Sequence, residues 1–142
     1  MNPWLLATSV AVVLTQFPTT ARPGGSPCVR YEPDTVAVSG TLTRMTFPGR
    51  PNYESIKDGD EPETGFYLRA VTPICTIGSA DSMMTDEGTL RGVRLVQLLL
   101  DSAGYARLRP KLGELMTLRG RLSVGGTAHY HAPLALEVLW PR

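Results

Sequence analysis

Only two histidines occur in the 142 residues, and they stand one residue apart in His129-Tyr130-His131. In an extended segment alternate side chains leave the same face about 6.6 Å apart, so two such imidazoles can share one ion. The carboxylates that would complete such a site are densest at Asp58, Asp60, Glu61 and Glu63. Two imidazoles, a carboxylate and water form a donor set that Zn or another divalent ion accepts. The H-x-H pattern is short, however, and two histidines in a polar turn are equally served by solvent or by backbone hydrogen bonds.

The acidic run lacks the D-x-[DN]-x-[DN]-G spacing of a calcium loop and reads as a solvated, charge-bearing loop. Nothing in the sequence orients two carboxylates for acid/base work on a glycan. There is no G-x-S-x-G, no P-loop and no G-x-G-x-x-G, so nucleophilic and nucleotide chemistry have no anchor. Arg107, Arg109, Lys111, Arg119 and Arg121 form a basic cluster, but aromatic platforms for nucleic-acid bases are thin: Phe47, Phe66 and Tyr67. A solvated face accounts for that cluster, and nucleic acid is not the expected partner.

Net charge is +1, from 14 Lys+Arg and 13 Asp+Glu, and 42% of residues are hydrophobic. That composition excludes a disordered chain and a general nucleic-acid binder, and the length suits one domain. The charge is uneven: residues 22–87 hold 6 basic and 10 acidic side chains, residues 88–142 hold 8 and 3.

The first 21 residues carry no charged side chain. Leu5, Leu6, Ala7 and Val10 to Leu14 form an apolar run that breaks at Gln16 and Pro18, too short for a span of about 20 residues. Residues 1–21 therefore read as a signal peptide cleaved after Ala21, although Met1-Asn2-Pro3-Trp4 lacks the usual basic residue. Periplasmic or secreted location follows, with no membrane span after cleavage. In that oxidising setting Cys28 and Cys75 are expected to pair as a disulfide rather than stay as thiols.

Residues 22–34 are Pro/Gly-rich and read as a leader to a domain over 35–142. Val36, Val38, Gly40 and Leu42 alternate with Ala37, Ser39, Thr41 and Thr43, the period of a half-buried strand. The apolar parity then shifts to Met45 and Phe47, which predicts a bulge. A long acidic loop follows from Phe47 to Gly65. Phe66–Val71 resumes a strand that Pro73 interrupts before Ile74–Ile77, and Val93–Leu100 is the most apolar stretch of the mature chain. Asp101-Ser102 can cap a helix of about two turns with Tyr105, Leu108 and Leu112 on one face; Pro110 limits it and Gly113 ends it. Met116–Val124 repeats the first strand's pattern around Gly120, and Pro133–Trp140 is the last strand.

The order β-β-β-α-β-β, with glycines at matching phase in the first and fourth strands, predicts an all-β domain with one short helix. Its expected form is a five-stranded OB-like Greek-key barrel. In such a barrel the loop between strands four and five lies beside the loop between strands one and two. The candidate binding pole is therefore Asn52, Tyr53, Asp58, Asp60, Glu61, Glu63, His129, Tyr130 and His131, with His129 and His131 as the metal candidates.

Phe47-Pro48-Gly49-Arg50-Pro51-Asn52-Tyr53-Glu54-Ser55, Gly59-Asp60-Glu61-Pro62-Glu63-Thr64-Gly65 and His129-Tyr130-His131-Ala132-Pro133-Leu134 resemble the marks of an uncharacterised family of exported bacterial domains. The resemblance covers most of Tyr31 to Val138. It implies export from a bacterium and one small domain, and it carries no catalytic residues. The expected function is non-catalytic binding of a small ligand or an extracytoplasmic protein, without cofactor. A metal-dependent enzyme or metal-binding protein centred on His129 and His131 is the alternative.

The extracytoplasmic form is expected to begin at Arg22 or within a few residues of it. N-terminal mass analysis checks this, and intact Met1 protein confined to the cytoplasm would contradict it.

Overall fold

The computed structural model describes residues 28–78, 89–125 and 128–141. The expected signal peptide, its cleavage point and the first part of the leader lie outside those residues. The described elements are β1 (Val29–Arg30), β2 (Val36–Pro48), β3 (Pro62–Ile74), β4 (Thr76–Ile77), β5 (Val93–Leu99), α1 (Ser102–Leu108), β6 (Leu115–Val124) and β7 (Leu134–Val138). The architecture is mostly β with one short helix, and among the described residues no helix is long and apolar enough to cross a membrane.

Five strands form one sheet. β2 pairs antiparallel with both β3 and β6, β3 with β5, and β6 with β7, while β5 and β7 run parallel. Each of the five thus has two hydrogen-bonded neighbours. The alternation read in the sequence supplies the interior: Val36, Val38 and Leu42 from β2, Leu68 from β3, Val96 and Leu98 from β5. Leu118 and Leu122 from β6 and Leu134, Leu136 and Val138 from β7 complete it. Each such side chain gains about 1.5–3 kcal/mol from leaving water.

β2 serves two neighbours in succession. Residues 36–41 pair with β6 and residues 40–48 with β3, so the strand must bend where the two ladders overlap. Gly40 sits there, and a Cβ on it would come within 2.6 Å of the Arg69 carbonyl oxygen. Gly120 of β6 makes a similarly close approach to the Glu137 backbone of β7. The sequence's matched glycines mark positions where only bare backbone fits.

Two expectations change. The parity shift after Leu42 is not a bulge in β2, since its register with β3 is unbroken from Gly40 to Pro48. Met45 and Phe47 instead lie on the opposite face, which is itself covered at that end of the sheet. The irregularity falls in β3, where Arg69 pairs with Leu95 but Ile74 pairs with Val93, around Pro73. The expected helix face also breaks: Leu108 is buried and Tyr105 packs edge-on against Phe66 at 4.9 Å, but Leu112 is exposed. Pro110 turns Arg109–Lys111 into a 3-10 turn, which alters the rotation per residue and swings Leu112 away. Asp101 caps α1 as its sequence suggests, its carboxylate accepting from the Gly104 N–H at 2.7 Å.

The described part of the leader is built into the fold. Cys28 and Cys75 form a disulfide, β1 pairs in parallel with β4, and the Tyr31 hydroxyl hydrogen-bonds the Thr76 hydroxyl at 2.7 Å. Val29 and Tyr31 pack against the core. Two-residue strands show no alternation, so the sequence pattern does not reveal them.

Replacing Cys28 and Cys75 together by Ser is expected to lower unfolding free energy by about 2–4 kcal/mol in urea titrations. Two titratable thiols in protein isolated from an oxidising compartment would contradict the bridge. Gly120→Ala is expected to cost about 1–3 kcal/mol. Gly78→Ala, whose Cβ would meet nothing within 4 Å, is expected to be silent by the same titration.

Candidate functional site

The loop from Gly49 to Glu61 organises itself around one carboxylate. Asp60 is buried, and its two oxygens accept from the backbone N–H groups of Asn52, Glu54 and Ser55 and from the Asn52 side-chain amide at 2.7–3.2 Å. Those backbone bonds, Ser55 first, hold the Asp60 carboxyl below the usual range. The loop ends are tied by Gly49 N–H to Glu61 C=O and Glu61 N–H to Arg50 C=O, both 2.6 Å. Within this frame Tyr53 is held at φ 60°, a left-handed conformation that a bulky side chain keeps only when its surroundings insist. The consequence is directional: the Tyr53 ring meets His129 edge-on at 5.4 Å.

The second loop, 125–133, is held by a side chain of β5. Gln97 donates from Nε2 to the His129 carbonyl at 3.0 Å and accepts on Oε1 from the His131 N–H at 2.8 Å. One amide thereby does the work of a strand partner, and both imidazoles reach Glu63 at the start of β3.

Glu63 bridges the pair. His129 Nδ1 lies 3.1 Å from Oε1 and His131 Nε2 lies 2.9 Å from Oε2. An ionised carboxylate only accepts, so both of these ring nitrogens carry protons. In a neutral His129 ring that leaves Nε2 as the acceptor for the Tyr53 hydroxyl at 3.2 Å. The hydrogen bond from His131 leads in lowering the Glu63 pKa, aided by His129 against partial desolvation. The histidines are unequal, with side chains 53% exposed in His129 and 11% in His131. His131 stacks flat on Phe47 at 4.8 Å, and Phe47 leans on Tyr67 at 5.5 Å.

These groups surround a hollow of about 250 Å³ lined by Glu63, Thr64, Gly65, Tyr67, Gln97, Tyr105, His129 and His131. Tyr67 is 1% exposed, and burial, reinforced by Tyr105 and Glu63, pushes its hydroxyl up to about 12, keeping it neutral.

Of the sequence candidates, the fold brings together Tyr53, Glu63, His129 and His131. Asp60 and Asn52 instead hold each other inside the first loop, because four N–H donors there consume the Asp60 oxygens. Asp58 and Glu61 are exposed on that loop; His129 lies in a turn rather than in the expected extended segment, and Tyr130 is half-buried near Gly125. Among the described residues no group of three or more His, Cys, Asp or Glu side chains is arranged to hold a metal ion. Glu63 meets the two imidazoles through separate oxygens at hydrogen-bond distance. Phe47, Tyr67, Gln97 and Tyr105 are the site residues that sequence reasoning did not select. Gln97 had a signal, as a polar residue within the most apolar strand.

The basic cluster is spread out: Arg107 lies over the Trp140 ring at 4.6 Å and Arg121 pairs with Glu137 at 3.5 Å. Comparison of the chain with protein-family models, with curated proteins and with solved structures returned no match.

A carboxyl with a lowered folded pKa stabilises the fold above its ordinary value and loses that contribution as pH falls through the folded value. Stability is therefore expected to decline on acidification below the ordinary 4.5 of Glu63. Glu63→Gln is expected to flatten part of that decline in pH-dependent melting curves. Asp60→Ala is expected to lower the melting temperature and expose residues 49–61 to protease, whereas Asp58→Ala leaves both unchanged.

Proposed function

We propose that this chain is an exported, non-catalytic binding domain on an OB-like Greek-key barrel, holding a small polar ligand where its two long loops meet. The observation that carries this reading is the convergence of Glu63, His129 and His131 on one polar hollow, with Tyr53, 76 residues from His129, hydrogen-bonded to that histidine at its edge. A face on the second and third barrel strands flanked by the 1–2 and 4–5 loops is the surface through which OB barrels bind ligands. Its counterparts here are β3, β5 and the loops 49–61 and 125–133. The helix between the third and fourth barrel strands and the parallel contact of the third with the fifth support the same reading.

The disulfide favours an oxidising compartment, in keeping with export and with the resemblance to exported bacterial domains. Its histidines are engaged with Glu63 in holding the loop, which favours binding over catalysis.

The test is an NMR screen of small polar compounds that reads amide shifts of residues 49–65, 97 and 128–131. His129→Ala removes an exposed side chain, so stability is expected to change by less than about 1 kcal/mol while binding weakens. Unchanged binding by that variant would overturn the loop site. Zn²⁺ titrated separately, with uptake lost in the His129→Ala, His131→Ala double variant, would favour the metal-binding alternative instead.

A further inference from the structure

The hollow has a floor whose chemistry is unfinished. Tyr67 is 1% exposed, yet among the described residues its hydroxyl makes no hydrogen bond, and it lines the hollow. Among the described residues no buried side-chain oxygen or nitrogen lacks a partner, so this hydroxyl opens onto the hollow, where a ligand can bond it in place of solvent. What uncovers it is Gly65: a Cβ there would sit 3.3 Å from the Tyr67 hydroxyl oxygen and roof it over. The other polar groups on the wall offer both signs of hydrogen bond. Glu63 has given one lone pair on each oxygen to an imidazole and keeps others to accept with. Tyr105 contributes a second phenol, able to donate or accept.

Both oxygens of the one carboxylate at the hollow are already engaged. The Glu63 carboxylate is met by two imidazole N–H groups with which a cation would have to compete, and the phenols have no charge to offer an anion. With about 250 Å³ the hollow is smaller than the roughly 300–1,000 Å³ of sites for drug-sized ligands. The ligand that suits it is uncharged, compact, and able to donate and accept through adjacent hydroxyls.

Resting on the loop-pole reading above, we infer that the hollow takes a single uncharged polyhydroxylated ring, a sugar unit, with the Tyr67 hydroxyl as its buried contact and Gly65 as the residue that admits it. Tyr67→Phe removes one oxygen that bonds to nothing in the protein, so the fold is retained while the contact is lost. Gly65→Ala closes the floor by a second route.

The experiment titrates the ¹⁵N-labelled full chain with methyl β-glucopyranoside, methyl α-mannopyranoside, N-acetylglucosamine and myo-inositol. Tetramethylammonium chloride and sodium acetate serve as charged probes. At least one neutral probe is expected to shift the Gly65 and Gln97 amides saturably. Tyr67→Phe is expected to weaken it about three- to tenfold at unchanged melting temperature, and Gly65→Ala to weaken it further. A neutral probe bound equally by Tyr67→Phe overturns the inference. Saturable shifts from a charged probe alone overturn the sugar assignment and leave the loop-pole site standing. No shift of these amides by any of the six overturns both.

Discussion

A ring of five strands leaves room for backbone alone where its ladders overlap, and the rest of this molecule is arranged around that limit. β2 is 13 residues long because it must serve β6 with its first half and β3 with its second. The overlap falls at Gly40, against the Arg69 carbonyl, and its counterpart at Gly120 lies against β7. Once β2 has bent there, its far half leaves the closed interior, and the apolar residues beyond Leu42 have to find cover on the other face. Phe47 finds it beneath His131 and beside Tyr67. The hollow thus grows out of the bend in β2, at the end where β2 and β3 project past the interior.

Glu63 then joins parts of the chain that share no ladder. It is paired across the strands with Phe47, and its carboxylate reaches the loop before β7. Each contact is modest: about 1.5–3 kcal/mol for the bond from the mostly buried His131 to the carboxylate, and less than about 1 kcal/mol for that of the half-exposed His129. Together with the Gln97 amide they order residues 129–131, which on the proposed function prepares the loop for its ligand. Ordering a loop in advance removes a cost that binding would otherwise meet, which is how weak contacts in an unliganded protein raise affinity.

Asp60 and Glu63 show how position overrides residue type. Three residues apart in one acidic run, they have opposite tasks. Asp60 faces inward beneath three backbone N–H groups and fixes the path of its own loop, including the left-handed Tyr53. Glu63 stands on a strand whose outer face looks onto the histidine loop. Charge density in the sequence identifies the run but does not distinguish the carboxylate that builds the loop from the one that meets the site.

The sequence by itself determined the five longer strands and inward faces within them, because burial of alternate side chains is a local pattern: Val36, Val38 and Leu42, Leu118 and Leu122, Leu134 and Leu136 were all legible. It also marked Gly40 and Gly120, the Asp101 cap, the Cys28–Cys75 pair, and the histidines with the acidic loop opposite them. Tertiary structure alone decided which carboxylate meets the histidines and that His131 is stacked while His129 is open. It also decided that Phe47, Tyr67 and Tyr105 belong to the site. These facts depend on contacts between residues 20 to 84 positions apart, such as Phe47 with Tyr67 and with His131, whose geometry follows from strand register and loop path. Register is a property of paired strands, and no single strand's pattern contains it.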